Sequence, residues 1–273
     1  ASVNTVSLPF PISSSGEVVE RVLAACTEKT RLVLIDHVTS PTGLVLPVDI
    51  LIPELHHRGI EVLVDGAHAP GMLPLNLEEL KPDYYTGNCH KWLCAPKGTA
   101  FLYVREDHKD KVHPITISHG MNMPLDGTTR FRLEFDWTGT DDATGFLCIA
   151  PSIQFLERQF EGGMKVLMER NRALALQARR MLCEALEVVA PCPEDMVGTL
   201  AAVTLPVSDG FVPAPFDVDP LRETLAREYR IEVPVMQWST PGGRFLRASA
   251  QLYNSLDDYR HLAKALCEEF PKS

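Results

Sequence analysis

Four residues whose types could do chemistry together lie close in the chain: Asp65, Asn88, His90 and Lys91. Asp65 closes IEVLV, a continuous apolar run rich in β-branched residues that reads as a buried parallel strand. The end of such a strand is where open α/β sheets bind their ligands. A second strand, centred on Asp83-Tyr84-Tyr85, leads into a loop carrying Asn88, His90 and Lys91, so acid and lysine face one crevice. An amine and a carboxylate so placed suit a carbonyl cofactor. The amine bonds the aldehyde carbon, and the carboxylate holds a ring nitrogen protonated. Taken singly, a loop lysine is usually a solvated charge and a strand-end Asp usually caps a turn.

The segments around these residues, DGAHA at 65–69 and NCHKWL at 88–93 followed by PKG, resemble the class V aminotransferases, which are fold-type I pyridoxal phosphate (PLP) enzymes. The nearest resemblance is to isopenicillin N epimerase-like members. It extends through nearly the whole chain, supported by SPTG at 40–43, WTGT at 137–140, IEVPV at 231–235 and RASAQLYN at 247–254. The resemblance implies a role for each matching residue. Lys91 bonds the cofactor aldehyde, Asp65 pairs with its pyridine nitrogen, and His68 bonds its phenolic oxygen. Asn88 and His90 contact the phosphate, although family members often have serine where Asn88 stands. Ser40, where asparagine is common, either bonds near the ring or only shapes the turn. Thr140 reaches the phosphate of a neighbouring protomer, so the resemblance implies a homodimer with shared sites. Arg247 clamps the substrate α-carboxylate with its fixed guanidinium fork. Lys97 is the rival to Lys91 and Arg244 the rival to Arg247, and the motifs favour the first of each pair.

Two departures narrow the reading. Cysteine desulfurases need a nucleophilic cysteine before the arginine strand, and VPVMQWSTPGGRFLR contains none. The family's glycine- and threonine-bearing phosphate loop and its ring-stacking aromatic are also missing. The chain therefore looks like the C-terminal part of a longer enzyme, or a partner of a separate front segment.

Elements must position these residues. Val3 to Leu8 reads as a strand, Gly16 to Glu28 as a helix with a stripe of Val18, Val19, Val22, Leu23 and Cys26, and RLVLIDHV as another buried strand. Pro47 and Asp49 open a helix that stops at Gly59, and the Asp65 strand follows. This alternation predicts a mostly parallel sheet. GTAFLYVRE is a further strand, and the polar passage 107–132 is long enough to be functional or interfacial. Asp141 is placed to cap a helix running to about Phe160. After the break at Gly162-Gly163, a helix runs from Met164 to Val189 and ends before Pro191 and Pro193. Strands at 200–205, 231–236 and 244–249 alternate with helices at 220–229 and 255–270, the last opened by Ser255 and Asp258 as a capping box. The expected fold is α/β, PLP-dependent transferase-like (fold-type I). Residues 1–161 form the C-terminal part of the PLP-binding large domain plus a connecting helix, and 162–273 a small C-terminal α/β domain.

Bulk properties agree with an ordinary globular chain. The 273 residues are 45% hydrophobic and 23% charged, enough for a substantial core. A net charge of −10 opposes non-specific nucleic-acid binding. No apolar stretch approaches a membrane span, and the first residues lack the basic start and apolar core of a signal peptide. Seven cysteines, an odd number without a C-x-x-C pair, indicate neither a disulfide framework nor a zinc site, and fit a reducing cytoplasm. The resemblance implies a PLP enzyme acting on an amino acid, with α-carbon epimerisation leading. C–S lysis or transamination is the alternative, and a catalytically dead binding or assembly fragment is the rival of a different class.

Overall fold

The computed structural model describes residues 2–206, 218–237 and 243–271. Helix α1 (Ser15–Ala25) is opened by Ser14, whose hydroxyl accepts from the Glu17 N–H, and it buries Val18 and Val22 one turn apart. Strand β1 (Leu32–Asp36), helix α2 (Val48–His57) and strand β2 (Glu61–Asp65) follow. Helix α2 stops where expected: Gly59 takes φ +69°, a left-handed conformation open to glycine without penalty. The short helix α3 (Leu77–Leu80) precedes strands β3 (Tyr84–Asn88) and β4 (Ala100–Val104). The sheet order is β1-β2-β3-β4, parallel through β3 and antiparallel at β4. The mostly parallel sheet is as expected.

Only one face of this sheet is well covered. Val62, Val64, Ile35 and Tyr85 point into a core shared with α1 and α2. On β1 the alternate residues Leu32 and Leu34 are exposed, as is Leu102 on β4. The reading of RLVLIDHV as a buried strand is therefore corrected: an apolar run does not distinguish a strand packed on both faces from one packed on one. Residues 3–8 form no strand either. Val6 and Leu8 pack against the core, but the segment has no ladder partner among the described residues.

Beyond β4 comes helix α4 (Arg130–Asp136), and then α5 (Thr144–Leu147) and α6 (Ile149–Glu157) replace the single helix expected from Asp141 to Phe160. Asp142, not Asp141, accepts from the Thr144 N–H at the first helical residue. Gly162 and Gly163, at φ +96° and +68°, make the break before helix α7 (Gly163–Leu186). The second sheet has order β5-β7-β6, all antiparallel, from β5 (Leu200–Thr204), β6 (Val235–Gln237) and β7 (Arg244–Ser249). Strand β6 is shorter than predicted. Ile231 donates instead to the Leu225 carbonyl at the end of helix α8 (Pro220–Glu228), and Pro234 has no N–H for a ladder. Helix α9 (Leu256–Glu269) begins with the expected Ser255–Asp258 capping box. Helices α7 and α9 pack on each other, and α7 lies against β5 and β7.

Candidate active site

The register of the first sheet brings acids together. Asp36 and Asp65 are direct partners across β1 and β2, and Asp65 is partnered by Thr86 on β3. Gly66 makes the turn after Asp65 possible, since a Cβ there would stand 2.1 Å from the Tyr85 ring. That ring is fully buried, stacks on Phe101 and meets His37 Nδ1 through its hydroxyl at 2.9 Å. Asp65 Oδ1 also accepts the Ala67 N–H at 2.9 Å, so the carboxylate is held as the chain leaves the sheet.

Lys91 lies in the turn after β3. Its Nζ is 3.1 Å from His68 Nε2, and the Trp92 indole N–H donates to His68 Nδ1 at 3.3 Å. Both His68 and Trp92 are buried. Burial pushes the Lys91 amine below its ordinary pKa; Asp65 and Asp36 oppose the shift, and Arg247 adds to it. Burial, reinforced by Lys91 and Arg247, takes His68 down to about 4. Asp36 is pushed up by burial and by Asp65, with Lys91 opposing. These mutual effects place Asp36, Asp65, His68, Lys91 and Arg247 in one electrostatic neighbourhood.

Two chain segments meet at Arg247. Its Nη1 donates to the Ser40 carbonyl, and its Nε is buried without a hydrogen-bond partner. Burial lowers the guanidinium pKa. Arg244, the rival, is buried and occupied: it pairs with Asp219 at 3.2 Å, where that carboxylate also caps α8 and accepts from Gln237. The turn at Ser40 is built by its neighbours. Thr39 and Thr42 hydroxyls meet at 2.6 Å, and Gly43 at φ +67° sits where a Cβ would collide with Leu200.

Asn88 ends β3 and is a strand residue rather than a loop residue. His90 uses Nδ1–H to bond the Thr99 carbonyl at 2.9 Å. A neutral His90 therefore presents a lone pair at Nε2, and donating to a phosphate from that atom requires the doubly protonated ring. Lys97, beyond Pro96, is exposed. Thr140 stands apart: it is exposed between α4 and α5, and no hydrogen bond among the described residues joins it to the others.

Three contributors were not singled out from sequence. Trp92 directly follows Lys91 in the quoted motif, yet an apolar ring next to a lysine reads as core. Asp36 ends its strand just as Asp65 does, and the same strand-end rule identifies it. Gln251 needed tertiary structure. Its amide donates to the Trp92 carbonyl at 3.1 Å and accepts from Asn171 of α7 at 2.8 Å, tying the Lys91 turn to the second sheet's side of the molecule. A cleft of about 720 Å³ beside His37, Pro47 and Asp49 contains none of the predicted site residues.

The family profile described as Aminotransferase class-V matches residues 5–206. The chain is 38% identical over 278 residues to isopenicillin N epimerase of Amycolatopsis lactamdurans, covering 97% of this chain and 67% of that protein. It is 33% identical over 282 residues to a probable chloroplastic L-cysteine desulfhydrase of Arabidopsis thaliana, covering 97% of this chain and 57% of that one. The chain thus spans about three fifths of these relatives' length. Among solved structures, cysteine desulfurase CsdA of Escherichia coli superposes with TM-score 0.71 at 22% identity, over 92% of this chain and 62% of that one. A C-DES mutant with glycine covalently linked to its PLP cofactor superposes with TM-score 0.70 at 22% identity, over 94% of this chain and 64% of that one.

Proposed function

Because the chain belongs to the class-V aminotransferase family, whose members here use pyridoxal phosphate, we propose that its site acts on an amino acid, with epimerisation at the α-carbon as the leading reaction. The fold is that of fold-type I PLP enzymes. The residues fit the cofactor. Lys91 is a partly buried amine with two carboxylates in its field, and the buried Arg247 Nε is unpartnered. When bound, pyridoxal phosphate supplies an aldehyde that bonds amines and a ring that takes up electron density from a carbanion.

The chain's own groups do the rest. Lys91 would bond the aldehyde and would then hold or return the α-proton on the face it occupies. Asp65 keeps negative charge at the pyridine nitrogen, while His68 donates to the phenolic oxygen. Asn88 and His90 would hold phosphate oxygens. Arg247 takes the substrate α-carboxylate, with each charged hydrogen bond contributing about 1.5–3 kcal/mol. Ser40 lends its carbonyl to Arg247's placement and its turn to the ring's surroundings. Thr140 completes the phosphate site of a neighbouring protomer in a homodimer. The exposed Ile117, Leu125, Trp137 and Leu147 on the same stretch of chain support such a contact. The chain divides at Gly162-Gly163 into a large-domain part, 1–161, and a smaller α/β part, 162–273.

The observation that carries the reading is the Lys91 amine in hydrogen-bonding reach of His68 and within the field of Asp65. Its test is borohydride reduction of the chain incubated with PLP, followed by peptide mapping. The expected label is on Lys91. Label on Lys97 overturns the assignment, and no label at saturating PLP supports the binding or assembly fragment. The reaction is tested in deuterated water with L- and D-amino acids. Epimerisation gives α-deuteration with inversion and no ketoacid. Release of sulfide and pyruvate from cysteine gives instead the C–S lyase reading, which the desulfhydrase relative supports, and amino transfer to a ketoacid gives the transaminase.

A further inference from the structure

His68 is contacted at both ring nitrogens, and the two contacts constrain each other. The Trp92 indole N–H can only donate, so His68 Nδ1, 3.3 Å away, must carry a lone pair. A neutral imidazole without a proton on Nδ1 carries it on Nε2. Nε2 then points an N–H at Lys91 Nζ, 3.1 Å away. An ammonium has three donors and no lone pair, so it cannot accept that bond. A free amine can.

We infer that Trp92 is a positioning residue: its indole N–H locks His68 as the Nε2–H tautomer, and this lock holds Lys91 as an uncharged, hydrogen-bond-accepting amine. Trp92 is itself fixed. Its ring lies in a small core with Val38, Met72 and Leu200, and Gly71, at φ +82°, brings its backbone against the Trp92 carbonyl carbon, where a Cβ would come within 2.9 Å. The Trp92 carbonyl is held by Gln251. The charges that bear on Lys91 come from two strand ends and from β7: Asp36 and Asp65 favour the ammonium, and Arg247 opposes it. The direction of the Lys91 and His68 shifts agrees with a neutral pair. The inference rests on Lys91 being the cofactor lysine for its relevance, since only a neutral amine attacks an aldehyde. The same lock gives His68 a donor on the Lys91 side, suited to a phenolate oxygen.

The test begins with the full chain without cofactor, labelled with ¹⁵N-histidine. Two-bond ¹H–¹⁵N correlations at pH 7 should show His68 with Nδ1 unprotonated and Nε2 protonated. An Nδ1–H tautomer or a doubly protonated ring at pH 7 overturns the proposal, and this measurement needs no variant. In Trp92→Phe, which keeps a ring of similar packing without the donor, His68 is free to accept from a Lys91 ammonium. Trinitrobenzenesulfonate labelling of Lys91 at pH 7.5, followed peptide by peptide, should then slow about tenfold, the equivalent of one hydrogen bond at 1.4 kcal/mol. Lys97 labelling in the same sample serves as control. An unchanged Lys91 rate in a folded Trp92→Phe chain also overturns the proposal. If borohydride marks Lys97 while the tautomer is as stated, the cofactor assignment fails and the Trp92 lock stands.

Discussion

At the scale of single residues, the buried His68 and the half-buried His37 set how the protein meets acid. His68 and His37 both have pKa values lowered to about 4, mainly by burial, against 6.5 for a free histidine. A histidine whose folded pKa is depressed binds protons more readily in the unfolded chain. Stability is therefore full above about 6.5 and falls as pH drops from 6.5 towards 4. Each contributes at most about 3 kcal/mol before screening by solvent. Urea titrations across that window should show a falling midpoint, with part of the fall removed in His68→Gln. A flat profile would show that neither histidine is sequestered. At the other side of the site, Arg247→Ala should weaken α-carboxylate ligands at least tenfold while changing PLP affinity little, read by separate titrations of each. Equal losses of both would assign Arg247 to folding.

At the scale of elements, the sheet is pinned at its far end by one carboxylate. Asp83 is almost fully buried and accepts from the Val62 N–H at 2.7 Å and from His56 Nε2 at 2.8 Å. It also pairs with Arg105 at 2.6 Å and with His108 at 3.1 Å. It thereby ties the start of β2 to α2, β3 and the segment after β4. The site residues Asp65 and Asn88 ride on the other ends of β2 and β3, so this clamp also fixes their relative position. Asp83→Asn keeps the shape and removes the charge that Arg105 and the histidines face. The expected cost is roughly 2–3 kcal/mol, below the usual range for a buried pair because Arg105 and His56 remain partly open to water. Denaturant unfolding measures it, and a loss under about 0.5 kcal/mol would mean the cluster is not the clamp described.

For the whole molecule, the question is how much of the site one chain supplies. Asp36, Asp65, His68, Lys91 and Arg247 come together within it, whereas Thr140 does not. Thr140 is exposed on a stretch that also exposes Ile117, Trp137 and Leu147. If a second copy covers this face, sedimentation should give a dimer, and Leu147→Glu should shift it to monomer. Thr140→Ala should then weaken PLP binding in the wild-type dimer background and leave it unchanged in the Leu147→Glu monomer. A chain that stays monomeric at high concentration removes the shared-site reading. Among the described residues, no helix is long and apolar enough to cross a membrane.

The sequence by itself determined the elements and the main chemical cast. A continuous β-branched apolar run located β2, and helix caps, stops and amphipathic spacing located α2 and α9, because burial and chain ends leave those marks in the residue types. Strand-end logic and motif order singled out Asp65 and Lys91. Tertiary structure alone decided which of two arginines is held by a carboxylate: Arg244 is taken by Asp219, twenty-five positions earlier in the chain, whereas Arg247 donates to the Ser40 carbonyl. It also decided that residues 3–8 find no strand partner among the described residues and that β1 leaves a leucine face open, because neither pairing partners nor cover can be read from a local pattern. The proton on His68 belongs to the same class. Its position follows from which donor stands at Nδ1, and that donor arrives through the packing of Trp92 between two sheets.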